Sequence, residues 1–583
     1  MGVSAIWPDF QAEPFMGSPM GRGAQLPGTL PSRRNVFIFL GMIIAIALAA
    51  RVVMACLLSS PCNDAYFYFC IADLLTLQKY DQAFTHLNLN TYPAILAVLH
   101  SCGLDWVTAG KLWGVTASTL TILPLFGWAR RLWGDRIALV VALLYAVHPE
   151  MIELGVEPIR EPTFWLFLAW GLYAMDRAFA ELKWRFFCLA GIVTTLAIFT
   201  RTEGLMLLIV LGIGASMALF KNTNWKRRLK VVSGVTLCLA MTPMLLVAVN
   251  VSLLQNHDRW EFGRLNHLSY LAASVWPKES SPDESSPAES TPAGQVVAPA
   301  VIDTTVDETT ANGAQRVELS AAAVPATKSF PARCFKFVSE LNGAYGPLNF
   351  VLFFVGIVTF WRHRLLHHLI PLMIPSAAVM GAVWIRLAAG SGGINGRYFL
   401  TMFFLIAPVF AVGLLSVMRY IAARQWGWSG SGSGGRLMLN GPTAAAVTLT
   451  FITAILIADA LTSRHRRRTE DLRIATQLIE RYGPFDHVIA DHHTARIGYA
   501  AQRRLPETLA FTELMETGRQ PGTGLIIVSR KGNDPLWLID LEGWVKYLQF
   551  EEIDPSQFGA RRSDLIVYIK MPKVASAPSG SRH

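Results

Sequence analysis

The chain has 583 residues, of which 52% are hydrophobic and only 16% charged, against roughly 25% charged in a soluble domain. That apolar excess is larger than a water-soluble core needs, which excludes an ordinary soluble globule and leaves lipid as the medium the surplus faces. A net charge of +10 would raise nucleic acid as a partner in a soluble protein; here the basic residues sit in short loops between apolar runs, so no nucleic-acid partner is expected.

Residues 1–34 are rich in Pro and Gly, lack the apolar core of a cleavable signal, and read as a cytoplasmic tail. A spanning helix needs about 20 mostly apolar residues. About eleven segments answer to that: 35–58, 107–128, 136–149, 162–180, 185–200, 204–220, 230–254, 347–361, 368–388, 398–418 and 443–461. Arg33, Arg34, Arg130, Arg131, Lys183, Arg185, Arg227, Arg228 and Arg362 gather on one side of these spans, while the other side has mainly Arg160, Arg201, Arg386 and Arg397. The positive-inside rule then places the N-terminus in the cytoplasm, and eleven spans place the C-terminus outside. Arg464, Arg466, Arg467 and Arg468 fall on the outer side of that topology and read as the lead into a translocated domain.

The outer side carries the large features. The loop 59–106 has amphipathic stretches suited to helices lying along the interface. The segment 276–330 is biased to Ser, Pro, Thr and acids and reads as a disordered insert. Over 469–573, candidate strands at 486–491, 524–529 and 564–570 alternate with helical stretches at 469–482 and 494–504, the pattern of a small soluble α/β domain. A Ser/Pro/Gly tail, 574–583, closes the chain. The expected fold class is a polytopic α-helical membrane protein, its membrane domain at 35–461, with a small C-terminal extracytoplasmic α/β domain.

Four places interrupt this apolar pattern with chemistry. Asp64, in Pro61-Cys62-Asn63-Asp64-Ala65-Tyr66, follows the first span directly; it reads either as a helix cap or as a carboxylate presented at the membrane surface. His148, Glu150, Glu153, Glu157, Arg160 and Glu161 lie between the third and fourth spans, either as a solvated loop or as a functional cluster. Arg201-Thr202-Glu203-Gly204 breaks an apolar stretch where ionisable groups are costly and functional by default. Arg397-Tyr398 opens the tenth span, as an interfacial anchor or as a ligand. All four fall on the outer face. Carboxylates with arginines at one membrane surface suit an anionic, membrane-borne substrate, because guanidinium matches phosphate oxygens bidentately.

Other features carry less. His492 and His493 read as a polar loop, His363, His367 and His368 as cytoplasmic topology charge, and Gly430 to Gly435 as a flexible loop that cradles no phosphate. The seven cysteines show no metal-type spacing; Cys62, Cys70, Cys102 and Cys334 lie on the outer side, where pairing is open to them. No nucleotide-binding motif is present, and no nucleotide cofactor is expected.

An ordered set of motifs resembles the GT-C glycosyltransferases, in the branch of the dolichyl-phosphate-mannose protein mannosyltransferases and the lipid A aminoarabinose transferases. The pieces are Asn63-Asp64-Ala65-Tyr66, Thr91-Tyr92-Pro93, the basic turn Ala129-Arg130-Arg131-Leu132-Trp133-Gly134, Pro158-Ile159-Arg160-Glu161-Pro162, Arg201 to Gly204, and Arg397-Tyr398, spread over about residues 35–460. One departure is that the mannosyltransferases carry adjacent Asp-Glu where this chain has Asn63-Asp64.

The resemblance implies a membrane glycosyltransferase that takes a sugar from a polyprenyl-phosphate donor to an acceptor hydroxyl, on a glycan, lipid or protein, at the extracytoplasmic face and with inversion. It implies Asp64 as general base, Arg397 and Arg201 as ligands of the lipid phosphate with Arg160 behind them, and Glu157 and Glu161 orienting the acceptor or bracing an arginine. Glu203, Tyr398, Tyr66 and Tyr92 complete the expected substrate contacts. The family has metal-dependent and metal-independent members, so a divalent metal stays open as cofactor. Two rival classes are a lipid or glycan transporter, which would carry charges at mid-membrane depth within inverted repeats, and a non-catalytic membrane scaffold.

Overall fold

In the computed structural model the described residues are 33–58, 61–87, 89–253, 330–362, 374–378, 381, 397–422, 426–428, 437–439, 441–462, 465–482, 485–490, 507–508, 524–529, 541, 545, 548–554, 557 and 565–570. The expected insert at 276–330 (save its last residue), the helical stretch 494–504, the loop Gly430 to Gly435, the pair His492-His493, His363, His367, His368 and most of the 368–388 span lie outside them.

The chain opens with α1 (Arg33–Leu57) and then three short helices: α2 (Asn63–Thr76), α3 (Tyr80–His86) and α4 (Thr91–Ser101). Next come α5 (Trp106–Leu120), α6 (Ile122–Trp133), α7 (Asp135–Val147), α8 (Pro149–Val156), α9 (Glu161–Glu181), α10 (Trp184–Thr200), a 3₁₀ turn Thr202–Leu205, α11 (Met206–Lys221) and α12 (Trp225–Leu253). Helices α13 (Phe330–Arg362), α14 (Arg397–Ala422) and α15 (Gly441–Thr462) complete the apolar set. The protein is a multi-pass membrane protein. Among the described residues, six helices are long and apolar enough to cross a membrane, or seven if the bent pair α7–α8 is one span. The expected eleven are therefore not all met on length and composition: Trp184–Thr200 and Ala446–Leu461 are apolar but short.

Small residues set the closest approaches. A Cβ on Gly413 of α14 would lie 1.9 Å from the Leu352 carbonyl oxygen, and one on Gly356 of α13 would lie 2.2 Å from the Val409 carbonyl oxygen. The two helices therefore cross backbone to backbone, the packing that membrane helices reach through glycine. Helix α13 kinks at Gly346, whose φ is +72° ahead of Pro347. Just before the kink, Tyr345 Oη donates to the Phe399 carbonyl at 2.5 Å and ties α13 to the start of α14.

The connecting segments are themselves helical. Helices α2, α3 and α4 occupy the loop 59–106, where helices were expected. The carboxylate-rich stretch after His148 is not a solvated loop: α8 is buried from Met151 to Val156 and bends 59° from α7. Cys62, Cys70 and Cys102 are free thiols.

After α15, helix α16 (His465–Tyr482) leads to strands β3 (His487–Ala490), β4 (Glu507–Thr508), β5 (Gly524–Ser529), β6 (Glu551–Ile553) and β7 (Leu565–Lys570); an earlier two-stranded hairpin pairs β1 (Trp426–Trp428) with β2 (Leu437–Leu439). The five-stranded sheet has the order β4-β3-β5-β7-β6, with β3 parallel to β4 and β5, and β7 antiparallel to β5 and β6. Alternation along the strands sends Val488, Leu525, Ile527 and Val567 towards Ile474 and Leu478 of α16, and Ile489, Ile526, Val528 and Ile566 towards Leu541 and Val545 on the other face.

The glycine crossing is testable. Gly413→Val should destabilise the membrane domain by about 1–3 kcal/mol through overpacking, read as an earlier thermal transition in detergent. Gly41→Val, with nothing within 4 Å of the added carbon, should leave the transition unchanged.

Candidate active site

The ionisable residues singled out from sequence meet where helices begin and end. The backbone of Cys62, not Asn63 or Asp64, is the N-cap of α2, and it makes no side-chain cap bond. Asp64 therefore lies in the first turn, where the helix dipole favours a carboxylate, and its side chain is turned to another task. Its Oδ2 accepts from Arg397 Nη1 at 2.7 Å across 333 positions of chain. Arg397 is the first residue of α14, the dipole's unfavourable end for a cation, and two carboxylates offset that. Besides Asp64, Glu161 Oε1 lies 3.9 Å from the same Nη1.

Glu161 opens α9, directly after Arg160 and before Pro162. Its Oε1 also accepts from Arg201 Nη1 at 2.6 Å. Arg201 follows the C-terminus of α10 and turns its other two edges to Glu203, Nη2 to Oε1 at 2.6 Å and Nε to Oε2 at 3.2 Å. The guanidinium stacks over Tyr398 at 5.3 Å from the ring centroid. Nearby carboxylates outweigh burial and raise the Arg201 pKa, so it is a permanent cation. The result is one alternating row: Glu203, Arg201, Glu161, Arg397, Asp64.

The row has a closed end and an open end. Side-chain exposure is 3% at Arg201 and 6% at Glu161, but 23% at Arg397 and 39% at Asp64. Arg160 stands beside the row, its guanidinium 5.9 Å from the centroid of Tyr68 and its buried Nε without a hydrogen-bond partner among the described residues. The Tyr92 hydroxyl likewise has no hydrogen-bond partner among the described residues. Burial, then the neighbouring Cys62, Tyr68, Glu161 and Glu157, push its pKa well up, so it keeps its proton and stays a donor. The Cys62 thiol is pushed up by burial and by the Glu157 and Asp64 carboxylates and stays neutral.

Two expected contacts take a different form. Glu157 braces backbone: its Oε2 accepts the Cys62 N–H at 3.2 Å, one step before the helix of Asp64. Tyr66 is buried, edge-on to Phe69 at 5.8 Å, and belongs to the core beneath α2. Sequence reasoning missed Asn90. Its Oδ1 accepts the Tyr92 N–H at 3.0 Å and its Nδ2 donates to the Thr200 carbonyl at 3.4 Å, joining the start of α4 to the residue before Arg201. An Asn ahead of a helix that carries Pro at its start is a capping signal that would have found it. It also missed Arg51, buried within α1. Among the described residues, no group of three or more His, Cys, Asp or Glu side chains is placed to hold a metal ion.

A family model described as dolichyl-phosphate-mannose-protein mannosyltransferase matches residues 95–247. No curated protein matches the chain by sequence. Among solved structures, ArnT from Cupriavidus metallidurans bound to undecaprenyl phosphate is 12% identical, with a TM-score of 0.50 over 91% of this chain and 97% of that one. ArnT in its apo state gives 0.49 at the same identity, over 91% and 98%. An oligosaccharyltransferase from Archaeoglobus fulgidus gives 0.41 at 12% identity, over 86% and 70%. At such identity the undecaprenyl-phosphate-bound ArnT structure speaks for a shared fold alone.

The two arginines should separate by stability. Arg201→Ala removes the ion-pair partner of Glu203 and the nearer of the two arginines at buried Glu161 and should cost about 3–5 kcal/mol, whereas Arg397→Ala, at the open end, should cost about 1 kcal/mol or less. Thermal unfolding of the two variants in the same detergent checks the order.

Proposed function

We propose that this chain, a multi-pass membrane glycosyltransferase of the GT-C kind, moves a sugar from a polyprenyl-phosphate donor to an acceptor hydroxyl at the Asp64 end of the charge row. The observation that carries the reading is the position of Asp64. It is the most exposed carboxylate of the row, and it is held 2.7 Å from an arginine, the side chain whose planar guanidinium matches phosphate oxygens.

The acceptor oxygen attacks the anomeric carbon while Asp64 takes its proton. The bond from that carbon to the phosphate oxygen breaks, and its electron pair leaves with the polyprenyl phosphate. The leaving group is already a stable anion, so no strong general acid is needed, and a single displacement inverts the anomeric centre. The Asp64 carboxylate also stabilises oxocarbenium-like charge at the sugar. Arg397 and Arg160 are assigned to the donor phosphate. Arg201, bound on three sides by Glu161 and Glu203, is assigned to holding Arg397 in place through Glu161. Tyr92, whose hydroxyl has no hydrogen-bond partner among the described residues, is assigned to the substrate as a donor.

The wider topology belongs to the same reading. Eleven spans, counting 368–388, put the N-terminus in the cytoplasm and place the charge row and the sheet-bearing domain at 469–573 outside. The acceptor is a hydroxyl of a glycan, lipid or protein.

Purified protein in nanodiscs, incubated with a panel of polyprenyl-phosphate sugars, should release the lipid phosphate from at least one of them. Asp64→Asn should fold normally and lose about 10²–10⁴-fold in transfer rate; full activity in this variant would remove Asp64 from the chemistry. Arg397→Ala and Arg160→Ala should mainly raise the apparent KM for the donor, and an unchanged KM in both would move the phosphate site elsewhere.

A further inference from the structure

Arg51 lies six residues before the end of α1 and is fully buried. Its Nε donates to Ser118 Oγ at 3.0 Å, and its Nη1 reaches the carbonyls of Ala47 and Ala146, each at 3.2 Å. The face of Tyr145 lies 5.4 Å away, and no ion pair engages Arg51 among the described residues. A cation inside a helix bundle is costly without compensation. Here the compensation comes from helix α7. That helix stops at Val147, so the Ala146 carbonyl is one of its orphan acceptors at the negative end of the helix dipole.

This is also where the α7–α8 span breaks by 59°, and the contacts continue across the break. Ser118 Oγ lies 3.2 Å from the Gly155 carbonyl of α8. A Cβ on Gly155 would come 3.0 Å from Ser118 Oγ and 3.3 Å from Arg51 Nε. One turn along α5, a Cβ on Gly114 would come 2.9 Å from the Gly155 carbonyl, and one on Gly110 would come 2.4 Å from Pro158 Cβ. The chain from Gly155 to Pro158 is thus seated on α5 without slack. Between those two residues stands Glu157, whose carboxylate holds the Cys62 N–H at the start of the Asp64 helix.

We propose that Arg51 is a positioning residue for the transfer reaction. It clasps α5, α7 and α8 at the break, fixes Glu157, and through Glu157 sets the position of Asp64. The proposal rests on Asp64 acting as the base. The test uses Arg51→Met and, because a buried arginine variant can fail to fold, Ser118→Ala, which removes one partner and keeps the charge. Both are prepared full-length in nanodiscs. Two quantities are read: transfer kinetics with a polyprenyl-phosphate sugar, and hydrogen–deuterium exchange along the chain.

Arg51→Met should lower kcat by about tenfold or more while KM for the donor changes by less than about twofold, and amide exchange should rise over both 149–158 and 61–69 but not over 200–205. Ser118→Ala should move the same quantities less. Arg51→Lys should recover only part of kcat, since an ammonium lacks the planar fork that reaches Ser118 and Ala146 together. Wild-type kcat in both Arg51→Met and Ser118→Ala, or faster exchange at 149–158 with none at 61–69, would overturn the proposal. If the wild-type chain releases no polyprenyl phosphate at all, the functional reading fails, and the exchange measurement still decides whether Arg51 controls the Asp64 segment.

Discussion

Two arginines share one nearly buried carboxylate, and the rest of the site follows from that constraint. Glu161 lies between Arg201 and Arg397, and a buried charge left without its partner is strongly destabilising. Each arginine therefore needs Glu161, and each needs a second acid at its far side: Glu203 for Arg201, and Asp64 for Arg397. The row draws on α2, α9, α14 and the turn after α10, so it fixes helix ends that are remote in sequence. Its inner end is sealed by a two-bonded guanidinium–carboxylate pair, and its outer end is accessible. That polarity leaves Asp64 more open than Glu161 or Glu203.

Helix termini do most of the placing. Asp64 and Glu161 stand in first turns, where a carboxylate is favoured, and Arg201 follows a C-terminus, where a cation is favoured. Arg397 runs against that preference at the start of α14. A cation in that position adds to the positive end of a long helix, so its carboxylate partners relieve a real cost, and an anionic ligand would meet the same field. The closing links are backbone bonds: Glu157 to the Cys62 amide, and Asn90 to the Tyr92 amide and the Thr200 carbonyl.

The membrane character was legible because apolar runs of spanning length have no soluble alternative. Asp64, Glu161, Arg201 and Arg397 were legible because an ionisable residue beside an apolar run is conspicuous, and because their order along the chain resembles a known set. Their roles within the row were not legible. Residue type treats Arg201 and Arg397 alike, and only the structure shows that Arg201 is held bidentately by Glu203. Glu157 was singled out, but its contact was hidden because its partner is a backbone amide, which any residue supplies. Arg51 was hidden as a single basic residue in an apolar helix. Helix α8 looked like a loop because it is rich in acids and lies between Pro149 and Pro158, and its burial depends on Gly110, Gly114 and Ser118 of another helix. Strands β4 and β6 are too short and too polar for alternation to reveal them, whereas the longer apolar strands β5 and β7 coincide with the expected ones to within a residue.

The most direct measurement is a structure of the protein with polyprenyl phosphate bound. The account predicts phosphate oxygens within hydrogen-bond reach of Arg397 and Arg160, beside Asp64, with Arg201 still held by Glu161 and Glu203. Phosphate bound at another face of the bundle, or Arg201 released from its carboxylates to bind it, would contradict the account.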